Sequence, residues 1–160
     1  MKKIAIMMAC VVAICSLLTG CGDDAKKINQ SKMEETFETC GVPDPCDISG
    51  VTLAACYTEK VSATDSSPEY IKASTENMYY ECVGIGTDAL AAEDIVNQYV
   101  ASLTSAGFEV SDEKSGSDVV YVNDKCSVVI ADETDNTVSW KGVSGQYGLM
   151  VFIYPEKTAN

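Results

Sequence analysis

The chain has 160 residues, 46% of them apolar, with 24 acidic side chains against 11 lysines and neither histidine nor arginine. Such a length and composition suit one folded domain, while the missing residue types exclude a Ser-His-Asp or Cys-His catalytic pair, an imidazole metal ligand and a bidentate fork for phosphate. A formal charge of −13 works against nucleic acid and anionic lipid headgroups, whose binding rests on neutralising phosphates.

Lys2 and Lys3 open the chain, and residues 4–18 are apolar apart from Ser16. A helix of that length spans about 22 Å at 1.5 Å per residue, short of the ~30 Å hydrocarbon core of a bilayer. A basic start, a short apolar run and small residues after it form the pattern of a secretory signal peptide. The residues Leu18-Thr19-Gly20-Cys21 match the lipobox, and through them the chain resembles the bacterial lipoproteins. That resemblance implies a diacylglycerol on the thiol of Cys21, cleavage by signal peptidase II between Gly20 and Cys21, and a further acyl chain such as palmitate on the new α-amine. Two or three acyl chains anchor stably where one is marginal, at ~0.8 kcal/mol per buried CH₂.

On this reading residues 1–20 are a cleaved signal peptide, residues 21–30 a polar tether and residues 31–156 a single small domain. The protein is expected at the cell membrane, lipid-anchored on the extracytoplasmic face. Losing Lys2 and Lys3 leaves nine lysines against 24 carboxylates, a formal charge of −15. The domain then has no electrostatic reason to lie flat on a negative bilayer.

Of eight cysteines, Cys10 and Cys15 leave with the signal peptide and Cys21 is consumed as a thioether. Cys40, Cys46, Cys56, Cys82 and Cys126 remain, an odd number, so at least one thiol has no intramolecular partner. Export would favour disulfides. Cys40 and Cys46 flank a turn-rich loop able to bring them together, and Cys82 and Cys126 both fall in expected strands; connectivity stays open at this level. No C-x-x-C occurs and the spacings match no common zinc finger, so no metal site is assigned.

In chain order, Ser31 with Glu34 forms a capping-box start, and Met33, Phe37 and Cys40 make one apolar stripe of a short helix. Gly41 is a left-handed stop, with Val42 closing on Phe37, and Pro43 and Pro45 forbid continuation. Residues 51–61 have strand-like content, residues 62–77 read as a loop with one helical turn, and residues 78–85 as a strand. Asp88 can cap a second helix running to Ala106, whose Ala92, Ile95, Val96, Tyr99, Leu103 and Ala106 share a face. Gly107 ends it, with Phe108 covering Leu103. Strands follow over 119–122, 127–131, 137–140 and 149–154, joined by short polar turns as antiparallel hairpins. The expected fold class is α+β: a helix packed on a mainly antiparallel sheet, a β-α-β-β-β-like core preceded by a short helix.

Several constellations invite chemistry. Gly84, Gly86 and Ala89 fit a dinucleotide fingerprint, but Asp88 would set a carboxylate where a pyrophosphate sits, and one helix between strands cannot build a doubly wound sheet. No cofactor is assigned. Residues 132–136 (Asp-Glu-Thr-Asp-Asn) gather oxygen ligands of the kind calcium prefers, without the order of an EF-hand; a solvated hairpin tip is the simpler reading. Glu93 and Asp94 complement a helix dipole. Tyr79 and Tyr80 must point to opposite faces of their strand, whereas Trp140, Tyr147 and Tyr154 on the late strands can cluster. Ser111 and Lys114 match S-x-x-K but lie in a polar stretch that reads as a loop. No catalytic residue is assigned.

From Tyr79 to Tyr154 the chain is also similar in pattern to small α+β domains of uncharacterised lipoproteins of single-membrane bacteria, a resemblance that brings no activity or site with it. The expectation is a non-catalytic binding or interaction module at the cell surface, held by Cys21 and serving a protein partner. The alternatives are a solute- or ion-binding lipoprotein, using the acidic hairpin and late aromatics, and least of all a small extracytoplasmic enzyme.

Overall fold

The computed structural model describes residues 26–84, 92–115, 118–133, 138–140, 143–145 and 148–156. In chain order the elements are β1 (Lys26–Lys27), α1 (Gln30–Cys40), a 3-10 turn (Pro45–Asp47), β2 (Val51–Lys60), α2 (Glu69–Ala73), β3 (Glu76–Gly84), α3 (Ala92–Ser105), β4 (Glu109–Ser115), β5 (Asp118–Val122), β6 (Cys126–Glu133), β7 (Val138–Trp140), β8 (Val143–Gly145) and β9 (Gly148–Pro155). One seven-stranded sheet runs β1-β2-β3-β9-β6-β5-β4, every pairing antiparallel, and β7 pairs with β8 apart from it. The architecture is α+β, dominated by the sheet. Among the described residues no helix is long and apolar enough to cross a membrane.

The centre of the sheet explains its least patterned sequence. β9 lies between β3 and β6 and is covered on both faces, so residues 149–154 are apolar without alternation. Leu149, Val151 and Ile153 point to one face and join Met78, Tyr80 and Cys82 of β3 and Cys126 and Val128 of β6. Phe152 points to the other, with Val129 and Val120, and Met150, Tyr154 and Tyr79 pack beside them. Tyr79 and Tyr80 therefore face opposite ways, as the pleat requires. A register shift between Leu53 and Ala55 lets Leu53 and Cys56, three apart, pack on the same core.

Helices α1 and α3 cover the first face through Met33, Phe37 and Cys40, and through Ile95, Tyr99 and Leu103. Phe37 meets Tyr80 edge-on at 4.9 Å, and the buried Tyr99 hydroxyl donates to the Pro43 carbonyl at 3.0 Å, tying α3 to the loop that leaves α1. Both helices end alike. Gly41 (φ 71°) and Gly107 (φ 90°) are left-handed, and Val42 and Phe108 donate to the carbonyls of Phe37 and Leu103 at 2.9 and 3.0 Å, the six-to-one bond of a Schellman exit. On the second face α2 supplies Tyr70 and Ile71.

Several expectations are corrected. The first helix is capped by Asn29, whose side chain accepts from Lys32 N at 2.9 Å, and not by Ser31; Glu34 instead accepts from Gln30 Nε2 at 2.9 Å. The reason lies one residue upstream, where Ile28 N donates to Cys56 O at 3.0 Å and holds the chain extended until Asn29. The same pairing brings Lys26 and Lys27 of the expected tether into β1. Residues 111–115, expected as loop, belong to β4, where a polar sequence is tolerated because an outer strand has solvent beside it. β6 does not form a hairpin with β7 but pairs with β9, so the β7–β8 ribbon is an insertion between two sheet neighbours.

Candidate functional site

The densest chemistry in the described chain is a set of five cysteines on the face covered by α1 and α3. Cys40 closes α1, and because Gly41 turns the backbone there, its carbonyl is left free of the helix ladder. That carbonyl accepts from Asn123 Nδ2 at 2.8 Å. Asn123 sits in the turn between β5 and β6, and its Oδ1 accepts from Lys125 N and Cys126 N at 2.9 Å each. Cys126, fully buried at the start of β6, thereby has its Sγ 3.9 Å from the Cys40 carbonyl oxygen and its thiol in hydrogen-bond contact with the Cys40 thiol.

A second sulfur pair forms where the Pro43–Pro45 segment crosses β3. Asp44 Oδ1 accepts from Cys46 N at 2.8 Å and starts the 3-10 turn, which directs the half-buried Cys46 onto the sheet. Tyr80 and Cys82, two residues apart on β3, present their side chains to it. The Tyr80 hydroxyl donates to Cys46 Sγ at 3.4 Å, and the thiol of the fully buried Cys82 hydrogen-bonds to that of Cys46. Cys56 stands on β2 directly opposite Tyr80, 2% exposed.

The two thiols of each pair are shifted in opposite directions. The hydrogen bond from Cys82 holds the Cys46 thiol below its ordinary pKa, against burial and the Asp44 charge. Burial first, and then Cys46, pushes Cys82 far up. Likewise the Cys126 thiol lowers Cys40, with Lys125 assisting against burial, and Cys126 is raised by its bond to Cys40 and by burial. Cys56 is pushed up to about 11 by burial, then by the charges of Cys46 and Asp44. All five are thiols in this structure.

This arrangement exchanges the partners that sequence proximity suggested. Cys40 does not meet Cys46, because the 3-10 turn carries Cys46 away from the end of α1 and over β3. Cys82 does not meet Cys126, because the two lie on strands separated by β9 and paired to residues six apart along it, Leu149 and Pro155. That is about 20 Å at 3.3 Å per residue. Within the sequence, only the two-residue spacing of Tyr80 and Cys82 pointed to a shared face.

The other expected residues fall as follows. Cys21 and its lipobox lie outside the described residues, as do Gly86, Asp88, Ala89, Tyr147 and residues 134–136 of the acidic hairpin. Trp140 belongs to β7 and Tyr154 to β9, in separate sheets, so these late aromatics share no strand system. Tyr154 meets Tyr70 edge-on at 5.1 Å, while Tyr79 stacks on Tyr57 at 4.9 Å and lies 5.5 Å from Phe152. Ser111 and Lys114 are on a strand, not a helix, and Ser111 Oγ accepts from Glu113 N at 3.1 Å. Asp94 is exposed in the first turn of α3. Among the described residues no three acidic or thiol side chains converge as a metal site. A shallow groove of about 500 Å³, lined by Gly107, Glu109, Val122, Asn123, Asp124 and Lys125 among others, opens beside the Asn123 turn. No protein family, curated protein or solved structure matches the chain.

Proposed function

We propose that the chain is a lipoprotein anchored through Cys21 on the extracytoplasmic face of a cell membrane, and that its sheet domain is a non-catalytic module for binding a protein partner. The observation that carries the anchor is the order Lys2-Lys3, apolar run, Leu18-Thr19-Gly20-Cys21, whose apolar length suits a signal peptide better than a span. Only four residues separate Cys21 from β1, a reach of about 15 Å, so the domain is held close to the headgroups. Its formal charge of −15 keeps it from adhering to them.

A protein partner is favoured by the outer strands. Val110 and Val119 are the large apolar residues most exposed among those described, at 66% and 43%. They stand on the neighbouring strands β4 and β5 at one end of the sheet, where exposed apolar side chains favour contact with a protein.

The intact mass of protein recovered from membranes tests the anchor. A mass for the chain from Cys21 plus acyl chains supports the reading, and full-length chain without lipid refutes it. Cys21→Ala is expected to abolish the lipid mass and leave an unprocessed precursor. A photo-crosslinker at Val110 tests the binding role: a discrete protein adduct, absent with the crosslinker at the exposed Lys32, is expected, and no adduct at either position contradicts it.

A further inference from the structure

We infer that the mature chain carries two disulfides, Cys40–Cys126 and Cys46–Cys82, with Cys56 as its single free thiol. The inference rests on the proposed export, which supplies an oxidising compartment, but the choice of partners rests on the fold alone.

Each pair is brought together by contacts with groups other than its two thiols. Asn123 holds the Cys40 carbonyl and the Cys126 amide with one side chain. Asp44 holds the Cys46 amide, and the Tyr80 hydroxyl holds the Cys46 sulfur on the strand that bears Cys82. The competing connectivity fails on distance. Cys82 and Cys126 stand about 20 Å apart along the sheet, far beyond the ~7 Å between α-carbons that a bridge tolerates. Cys40 and Cys46 are committed to opposite ends of that separation. Cys56 faces Tyr80 across the β2–β3 ladder, with Leu53 and not Cys56 in register opposite Cys82, and both sulfurs near it are taken up in the Cys46–Cys82 pair. The odd count is thus resolved.

The chemistry is thiol–disulfide exchange with an external disulfide, either that of a protein oxidant or glutathione disulfide. The Cys46 thiolate, the more exposed sulfur of its pair, attacks one sulfur of that disulfide and releases one external thiolate, forming a mixed disulfide. Cys82 then gives up its proton and attacks Cys46 Sγ, expelling the second external thiolate. Two electrons and two protons pass from the two cysteines to the two external sulfurs, and one S–S bond forms for the one broken. Cys40 and Cys126 follow the same course, and since both are buried, their bridge closes as the β5–β6 turn folds onto α1.

The test uses the full chain in two arms. In the first, protein is recovered from membranes with alkylation at harvest, digested without reduction, and mapped by mass spectrometry. Peptides linking Cys40 to Cys126 and Cys46 to Cys82, with Cys56 alkylated, are expected, and Cys56→Ala is expected to leave both links intact. In the second, the reduced, unfolded chain is refolded in the presence of glutathione disulfide, and the same two links are expected. A Cys40–Cys46, Cys82–Cys126 or Cys46–Cys56 link in either arm overturns the inference, as do five alkylated cysteines in a lipidated chain from membranes. If the cell-derived chain carries no lipid and no bridge, yet glutathione disulfide makes both links, the export reading fails and the pairing stands.

Discussion

The side-chain amide of Asn123 donates to the backbone carbonyl of Cys40 at 2.8 Å, joining the end of the first helix to a turn 83 residues further along the chain. The same side chain closes that turn through the amides of Lys125 and Cys126. One asparagine therefore sets both the turn and its distance from α1, and the two sulfurs beside it meet as a consequence.

Replacing Asn123 by alanine removes three hydrogen bonds and leaves a half-buried carbonyl and two amides to find water. A loss of about 1–3 kcal/mol is expected. Urea denaturation should show a lower midpoint with an unchanged slope; an unchanged midpoint would mean that packing alone positions the turn.

Gly107 adopts φ 90° and has no atom within 4 Å of where a β-carbon would stand. Alanine there meets no clash, so its cost is conformational, about 1–2 kcal/mol. Asparagine, which tolerates the left-handed region, should cost less. Thermal melts of the two variants check the order, and equal losses would point to a steric cause.

Cysteine substitutions should couple in pairs. In the oxidised protein the Cys40–Cys126 bridge closes a loop of 86 residues, worth about 4–5 kcal/mol by chain entropy. Cys40→Ala and Cys126→Ala are each expected to lose most of that, and the double variant little more. Combining Cys40→Ala with Cys46→Ala should add the two separate losses. Additivity within the Cys40–Cys126 pair would contradict a bridge.

Alkaline pH should weaken the fold. Cys56 is raised by burial from 9.0 to about 11, and Tyr154 by burial, then by Tyr70 and Glu59, from 10.0 to about 12, against a hydrogen bond from Asn77. Groups whose protons are held more tightly in the folded chain stabilise it below their unfolded pKa and lose that contribution as pH rises through the folded value. Denaturation midpoints should therefore fall between pH 9 and 12. Cys56→Ala should flatten the lower part of that fall and Tyr154→Phe the upper part; a profile unchanged by either substitution would show that neither group drives it.

Local rules were legible wherever a few neighbouring residues decide the conformation. Met33, Phe37 and Cys40 form one buried stripe, Gly41 and Gly107 end their helices in the left-handed region, and the alternation at Tyr79 and Tyr80 places them on opposite faces. The helix start is ambiguous in the sequence because Ser31 and Glu34 satisfy the capping pattern as well as Asn29 does. What selects Asn29 is the pairing of Ile28 with Cys56, a contact invisible in the local sequence. β4 carries no strand signal because residues 111–115 are polar, and only the hydrogen bonds offered by β5 make them a strand.

By itself the sequence determined the two long helices, the inner strands, their apolar faces and the odd number of cysteines left after residue 21, since these follow from local periodicity, turn chemistry and counting. Tertiary structure decided which strands are neighbours, and through them which sulfurs meet. Inserting β9 between β3 and β6 sets Cys82 and Cys126 about 20 Å apart, and no pattern within either strand records that choice. It is made where both faces of β9 find cover, with Leu149, Val151 and Ile153 under the two long helices and Phe152 on the far side.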